Sequence, residues 1–306
     1  MSNELLQKKL LELLKLAEES GIDISEELDK LEKKIEETSR TDSAWSRVEL
    51  ARHPERPYAL DYINRIFDDF TELHGDRCFG DDPAIVGGLA FLNGQPVTIL
   101  ANQKGRTLKE RIHRNGGMAN PEGYRKALRL AKEAEKFQRP IVCFVDTVGA
   151  FPGLGAEERG IGEAIARNLR DFSHLKTPIV CIIIGEGGSG GALGICVGDK
   201  VYMLENAIYS VISPEGCASI LLRDASQAKN AATMLRITSA DLMNFNVING
   251  IINEPSGGAH IYPDVVASSI KDILLRDIAD LQRHNPEVLV RYRNQKIRTI
   301  GHWHES

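Results

Sequence analysis

Ile179-Val-Cys-Ile-Ile-Ile-Gly-Glu-Gly-Gly-Ser-Gly-Gly-Ala-Leu-Gly-Ile-Cys-Val197 is the stretch whose reading decides the fold. The apolar run Ile179–Ile184 has the length and the β-branched composition of a fully buried strand. It feeds a turn with glycine at 185, 187, 188, 190 and 191, and a helical apolar pattern restarts at Ala192 and is expected over Ser189–Val197. Such a turn has little side-chain chemistry. It offers backbone N–H groups, uncrowded by Cβ atoms, at the start of a helix. That arrangement suits negative charge, either a phosphate or an oxyanion that develops during a reaction.

Working outward, strands and helices alternate. Ile85–Leu92 and Val97–Asn102 flank Asn93-Gly94, a two-residue hairpin signal. Helices are expected over Pro121–Phe137, Ala156–Phe172 and Val265–Ile278, and strands over Ile141–Val145 and Lys200–Leu204. Short apolar strands separated by helices predict an α/β fold with a covered, largely parallel sheet. Pro140-Ile-Val-Cys143 and Pro178-Ile-Val-Cys181 each open a strand that runs into a glycine turn and a helix. Two consecutive strand–turn–helix units bring both turns to one edge of the sheet. A pocket lined by amides of Gly149-Ala150-Phe151 and of Gly190-Gly191 is therefore expected.

Before this region, Leu5, Leu6, Leu10, Leu13, Leu14 and Ala17 form one amphipathic helical face, and Ser25 opens a second helix carrying Leu28, Leu31 and Ile35. Residues 1–40 thus read as a helical hairpin for docking or dimerisation, 41–290 as the main domain and 291–306 as a C-terminal tail. The chain has 306 residues, a net charge of -5 and 42% hydrophobic residues. These values give no whole-protein case for nucleic acid. No apolar run approaches the ~18 residues of a membrane span. The polar, Lys/Glu-rich start shows no secretory signal, so a cytoplasmic location is expected. The five cysteines are scattered, without a Cys-x-x-Cys pair, and read as reduced core residues with no metal site.

Several chemistries match the glycine run. Gly185-x-Gly187-x-x-Gly190, with Glu205 about twenty residues on, fits a dinucleotide fingerprint. Gly187-Gly-Ser189-Gly-Gly191 fits a serine-hydrolase elbow, with His260 and Asp264 downstream as partners. A P-loop is excluded, because no Gly-Lys-[Ser/Thr] follows the glycines. The remaining reading is an oxyanion pocket without a side-chain nucleophile, built on the Gly190 and Gly191 amides. The basic segment Lys104-Gly-Arg106-Thr-Leu-Lys109-Glu-Arg111-Ile-His-Arg114 either steers an anionic ligand or is a solvated face.

A family resemblance adds to this reading. Ala51-Arg-His-Pro-Glu-Arg-Pro-Tyr58, Gly75-Asp-Arg77, Ala84-Ile-Val-Gly-Gly88, Gln103-Lys-Gly-Arg106 and Pro121-Glu-Gly-Tyr-Arg-Lys-Ala-Leu-Arg-Leu130 begin an ordered series. Gly149-Ala-Phe-Pro-Gly153, Ala156-Glu-Glu-Arg-Gly160, Ala164-Ile-Ala-Arg-Asn-Leu169, Gly185–Leu193, Tyr209-Ser-Val-Ile-Ser-Pro-Glu-Gly216 and Glu254-Pro-Ser-Gly-Gly-Ala-His260 continue it. Over nearly its whole length the chain resembles the carboxyltransferase α subunits of bacterial multi-subunit acetyl-CoA carboxylase. Val148, Gly116 and Asn253 depart from the family's usual proline, aromatic and acidic residues at those places.

The resemblance implies a crotonase-like (ClpP/crotonase superfamily) spiral of strand–turn–helix units. It implies transfer of a carboxyl group from carboxybiotin to acetyl-CoA, giving malonyl-CoA, the first committed step of fatty acid synthesis. Backbone amides of Gly190, Gly191 and Phe151 would form the oxyanion hole. Gly149, Ala150, Gly187, Gly188, Lys104 and Arg106 would contact substrate. Biotin would arrive on a biotin carboxyl carrier protein, ATP would be used by a biotin carboxylase, and no cofactor would be bound covalently. A zinc-ribbon β subunit would supply most of the coenzyme A side in an α2β2 assembly, leaving this chain inactive alone. A non-catalytic scaffold of the same fold is the other class the sequence leaves open.

Overall fold

The computed structural model describes residues 43–301, so the expected hairpin over residues 1–40 lies outside the described residues. Helices α1 (Ala44–Ala51) and α2 (Ala59–Ile66) lead into strands β1 (Asp68–Glu72), β2 (Ile85–Leu92) and β3 (Gln95–Asn102). Asn93 and Gly94 both take positive φ, 49° and 80°, as a type I′ hairpin turn requires. Helices α3 (Leu108–His113) and α4 (Pro121–Lys136) then cross to β4 (Ile141–Thr147). Helices α5 (Leu154–Glu158) and α6 (Ile161–Phe172) precede β5 (Ile179–Gly188), α7 (Ser189–Leu193), β6 (Lys200–Leu204) and β7 (Ile208–Ser210). The chain continues through α8 (Pro214–Cys217), α9 (Ala228–Leu235), α10 (Ser239–Asn244), β8 (Gly250–Ile252), α11 (Pro263–Leu281) and α12 (Pro286–Arg298).

One eight-stranded sheet runs β1-β2-β3-β4-β5-β6-β8, and β7 pairs with the end of β5. The first three strands are antiparallel. From β3 onward all pairs are parallel. Every residue of β4 is buried, so helices or loops cover both sheet faces there. On β4, Phe144 meets Tyr62 of α2 in a stacked pair and Phe67 edge-on. Gly87 of β2 leaves room for Leu130 of α4, which lies where a Cβ would be.

Four expected boundaries differ. The helix expected over Ala156–Phe172 is interrupted at Gly160, whose left-handed φ of 79° no longer follows the helical path. β5 continues through the glycines to Gly188, because β7 supplies it with a further partner there. The helix expected over Ser189–Val197 stops at Leu193. The expected tail boundary at residue 290 falls inside α12. This helix starts at the Asn285 cap and is docked by Arg293, which is fully buried. Arg293 grips both oxygens of Asp199 at 2.9 and 2.8 Å and donates to the carbonyls of Phe172, Leu175 and Thr177. Asp199 also accepts from the Ile179 N–H, so α12 is tied to the first residue of the central strand.

A second buried pair closes the chain on itself. Arg56 donates to both oxygens of Glu254, at 3.0 and 2.6 Å, and to the Ile184 carbonyl. Glu254 in turn receives the Asn206 and Ala259 amides. Removing one partner of such a pair strands the other charge in the interior. Arg293→Met should therefore lower the free energy of unfolding by about 3–5 kcal/mol, measured by urea titration.

Candidate active site

The site forms where β4 and β5 end side by side. Their register is Val145↔Ile183 and then Thr147↔Gly187, so β5 carries two more residues than β4 across this interval. The extra residues bulge around Asp146, whose carboxylate accepts the Glu186 N–H at 2.9 Å. A Cβ at Gly185 would lie 2.4 Å from Asp146 Oδ1. Beyond the bulge, the turn after β4 and the turn after β5 touch backbone to backbone. A Cβ at Gly188 would lie 2.1 Å from the Val148 carbonyl oxygen, and one at Gly191 would lie 2.3 Å from the Gly149 carbonyl carbon. Gly187 makes room for the Tyr209 ring, 2.7 Å from its would-be Cβ. Gly190 differs: a Cβ there would rest 3.6 Å from the Ile165 side chain, an ordinary contact.

The amides sort clearly. Gly188 caps α7 without a side chain, so no side-chain cap occupies the first-turn N–H groups that include those of Gly190 and Gly191. The Gly149 N–H goes to Thr147 Oγ1. The Phe151 N–H is donated to the Ala119 carbonyl at 3.0 Å, which counts against its expected place in the oxyanion hole. Its neighbour Ala150 has no backbone acceptor among the described residues, and its nitrogen would lie 2.5 Å from a Gly191 Cβ. Only the fold shows that the loop before α4 claims the Phe151 N–H.

A chain of alternating charges runs beside these turns, and Arg52, Lys104 and Glu186 of it line the cavity. Lys104 Nζ lies 2.7 Å from Asp146 and 2.9 Å from Glu186. Arg52 joins Glu186 at 2.7 Å and Glu215 at 2.6 Å. Burial opposes the Lys104 charge, yet Asp146 and Glu186 hold its pKa above the usual lysine value. Burial alone would raise Glu186, but Lys104 and Arg52 keep its carboxyl below the usual range. Lys104 is thus committed to internal carboxylates. Arg106, also expected to meet substrate, is exposed; it pairs with Asp61 and covers the Tyr58 ring at 4.8 Å. The cavity, about 360 Å³, is walled by Arg52, His53, Tyr58, Lys104, Val148 and Glu186, with Arg111 at its edge. Arg52, Asp146 and Glu186 were not expected from the sequence, although a glutamate inside a buried glycine-rich strand end is itself a signal of pairing.

The competing chemistries lose their parts. Gly185 and Gly187 lie within β5 and face Asp146 and Tyr209 instead of opening a helix. Glu205 pairs with Arg47 at 3.2 Å and accepts the Glu254 N–H. Ser189 turns sharply, with φ 49°, but His260 stacks on His53 and Asp264 pairs with Arg65. Among the described residues no cluster of His, Cys, Asp and Glu is arranged to hold a metal. No helix among them is long and apolar enough to cross a membrane.

Solved structures share this architecture. A Pseudomonas malonate decarboxylase hetero-tetramer in complex with coenzyme A aligns with a TM-score of 0.58 at 16% identity, over 70% of this chain and 86% of that one. Transcarboxylase 12S, with methylmalonyl-coenzyme A and methylmalonic acid bound, aligns with a TM-score of 0.56 at 23% identity, over 69% of this chain and 40% of that one. The fold is the crotonase-like α/β fold. The model of the family described as acetyl co-enzyme A carboxylase carboxyltransferase-like matches residues 2–301, and the chain belongs to this family. It is 66% identical to an acetyl-coenzyme A carboxylase carboxyl transferase subunit alpha from Treponema denticola, over 100% of both chains. It is 53% identical to the protein of that name from Anoxybacillus flavithermus, over 98% of this chain and 94% of that one.

Two outcomes follow from the packing and the charges. Gly191→Ala should cost about 1–3 kcal/mol by forcing the two turns apart, whereas Gly190→Ala should gain up to about 1 kcal/mol; thermal unfolding of the pair checks this. Glu186 titrates lower folded than unfolded, so its stabilisation is complete well above the unfolded value of about 4.3 and is lost as pH falls through the folded value. Glu186→Gln should flatten that acid limb when urea midpoints are compared from about pH 6 to pH 3.

Proposed function

We propose that this chain is the α subunit of an acetyl-CoA carboxylase carboxyltransferase, forming malonyl-CoA together with a β subunit. The reading is supported by the full-length identity to proteins of that name. Residues 41–290 would carry the transferase fold, with α12 docked upon it, and residues 1–40 would serve docking or dimerisation in an α2β2 assembly. A cytoplasmic site of action fits the same reading.

The single observation that carries the mechanism is the convergence of the two turns. The Ala150 amide, without a backbone acceptor, and the uncapped start of α7 at Gly190 and Gly191 lie in two turns packed backbone to backbone, and Val148 of the first turn walls the cavity. This set fits a neutral cyclic urea whose oxygen must be stabilised as charge develops. Carboxybiotin, delivered on its carrier protein after an ATP-dependent step elsewhere, supplies both the carboxyl group and the base for the acetyl methyl proton. The chain's own residues then have three tasks. The amides of Ala150, Gly190 and Gly191 donate to the developing oxyanion. The Lys104–Asp146–Glu186 cluster fixes the strand ends that carry those amides. Gly149, with open space where a Cβ would be, keeps a side chain out of the approach, while Gly187 and Gly188 let Tyr209 and the Val148 carbonyl pack close behind the turns. Oriented N–H groups require no reorganisation at the moment of reaction, and one is worth about 3–4 kcal/mol of barrier.

Replacing Ala150 by lactic acid exchanges one N–H for an ester oxygen and leaves the side chain alone. In malonyl-CoA assays with the β subunit, kcat should fall about 10²–10³-fold with KM for acetyl-CoA little changed. An unchanged kcat removes Ala150 from the hole. Absence of malonyl-CoA from the unaltered complex makes the chain a non-catalytic crotonase-fold scaffold.

A further inference from the structure

A second cavity, about 430 Å³, shares no lining residue with the first. Its walls are mostly apolar and include Leu169 of α6, Leu193 and Val197 at and beyond the end of α7, Val201 of β6, Val247, and Ile297 and Ile300 from α12 and the residues after it. Tyr209 also lines it, and the same ring fills the space above Gly187. The wall of this cavity is thus continuous with the strand that carries the glycine turn.

One charge stands at this apolar cavity. Lys296 lines it, and its ammonium is met by neutral acceptors: Asn249 Oδ1 at 2.7 Å and the carbonyls of Gly198 and Asp199 at 3.4 Å. It forms no ion pair among the described residues. The neighbouring Asp199 carboxylate is already saturated by Arg293 and the Ile179 N–H. Ser173 and Asn294, the other polar side chains of the lining, are engaged as well. Ser173 Oγ donates to the Arg170 carbonyl, and Asn294 donates to the carbonyls of Ser173 and Val290. Burial lowers the Lys296 pKa, as expected for a cation with no opposite charge in contact. An apolar chamber with a single unneutralised cation at its wall selects a ligand with an aliphatic body and one negative end. A dianion would leave one charge uncompensated, and a cation would be repelled.

We propose that this cavity is a binding site for an aliphatic monocarboxylate, its chain between α7, α12 and Val247 and its carboxylate on Lys296 Nζ. Titration calorimetry on the full chain in complex with its β subunit tests this with decanoate, decanol and decyltrimethylammonium. Decanoate should bind once per chain and about tenfold or more tighter than decanol, as expected when one ion pair is added to a shared apolar contact. Lys296→Met keeps the stem and should erase that preference while leaving decanol unchanged. Equal affinity for decanoate and decanol, preference for the ammonium, or decanoate binding that survives Lys296→Met overturns the proposal. A diazirine-bearing decanoate on the unaltered complex gives a readout independent of any variant. Adducts at residues that line the cavity, from Leu169 and Ser173 through Leu193–Val201, Tyr209 and Val247 to Asn294–Ile300, support the site; adducts confined to residues outside that lining overturn it.

Discussion

Two turns of main chain approach so closely that no side-chain atom fits between them, and the rest of the active end of the molecule depends on that approach. Val148 against Gly188 and Gly149 against Gly191 leave distances at which a Cβ meets backbone, which has no rotamer to yield. The parallel β4–β5 pair delivers both turns to the same edge, and the bulge around Asp146 sets their relative height. Exposed amides and close packing are therefore one feature. The residue type that permits contact is also the one that leaves the N–H groups uncovered.

The charges beside the turns serve that geometry. Lys104 and Arg52 lie between Asp146, Glu186 and Glu215, so the cluster is close to self-neutralising. Arg111 at the cavity's edge is exposed, while the cavity's lysine is held internally by Asp146 and Glu186. Preorganised dipoles in a partly enclosed site bind developing charge more selectively than a mobile ammonium, which would stabilise the ground state equally.

The sequence made the α/β class, the Asn93-Gly94 hairpin and the glycine edge legible, because each rests on local pattern. Gly160 was harder: it lies within a stretch of helical periodicity, and only its positive φ ends the helix there. That the Phe151 N–H is already engaged was not legible, since it depends on the Ala119 carbonyl some thirty residues earlier. Likewise, the pairing of Lys104 with Asp146 and Glu186 joins three strand ends, and Arg293 looked like tail until Asp199 supplied its partner. Long-range electrostatics leaves little trace in a linear pattern of apolar residues.

The Arg56–Glu254 pair spans 198 positions. A ribosome adding about 5–20 residues per second needs about 10–40 s to travel from one to the other. Throughout that interval the nascent sheet can assemble, yet the guanidinium destined for its interior has no counter-ion. Closure of this pair consequently waits for the emergence of Glu254, and a chain cut short before that residue is left with an arginine that must stay in water.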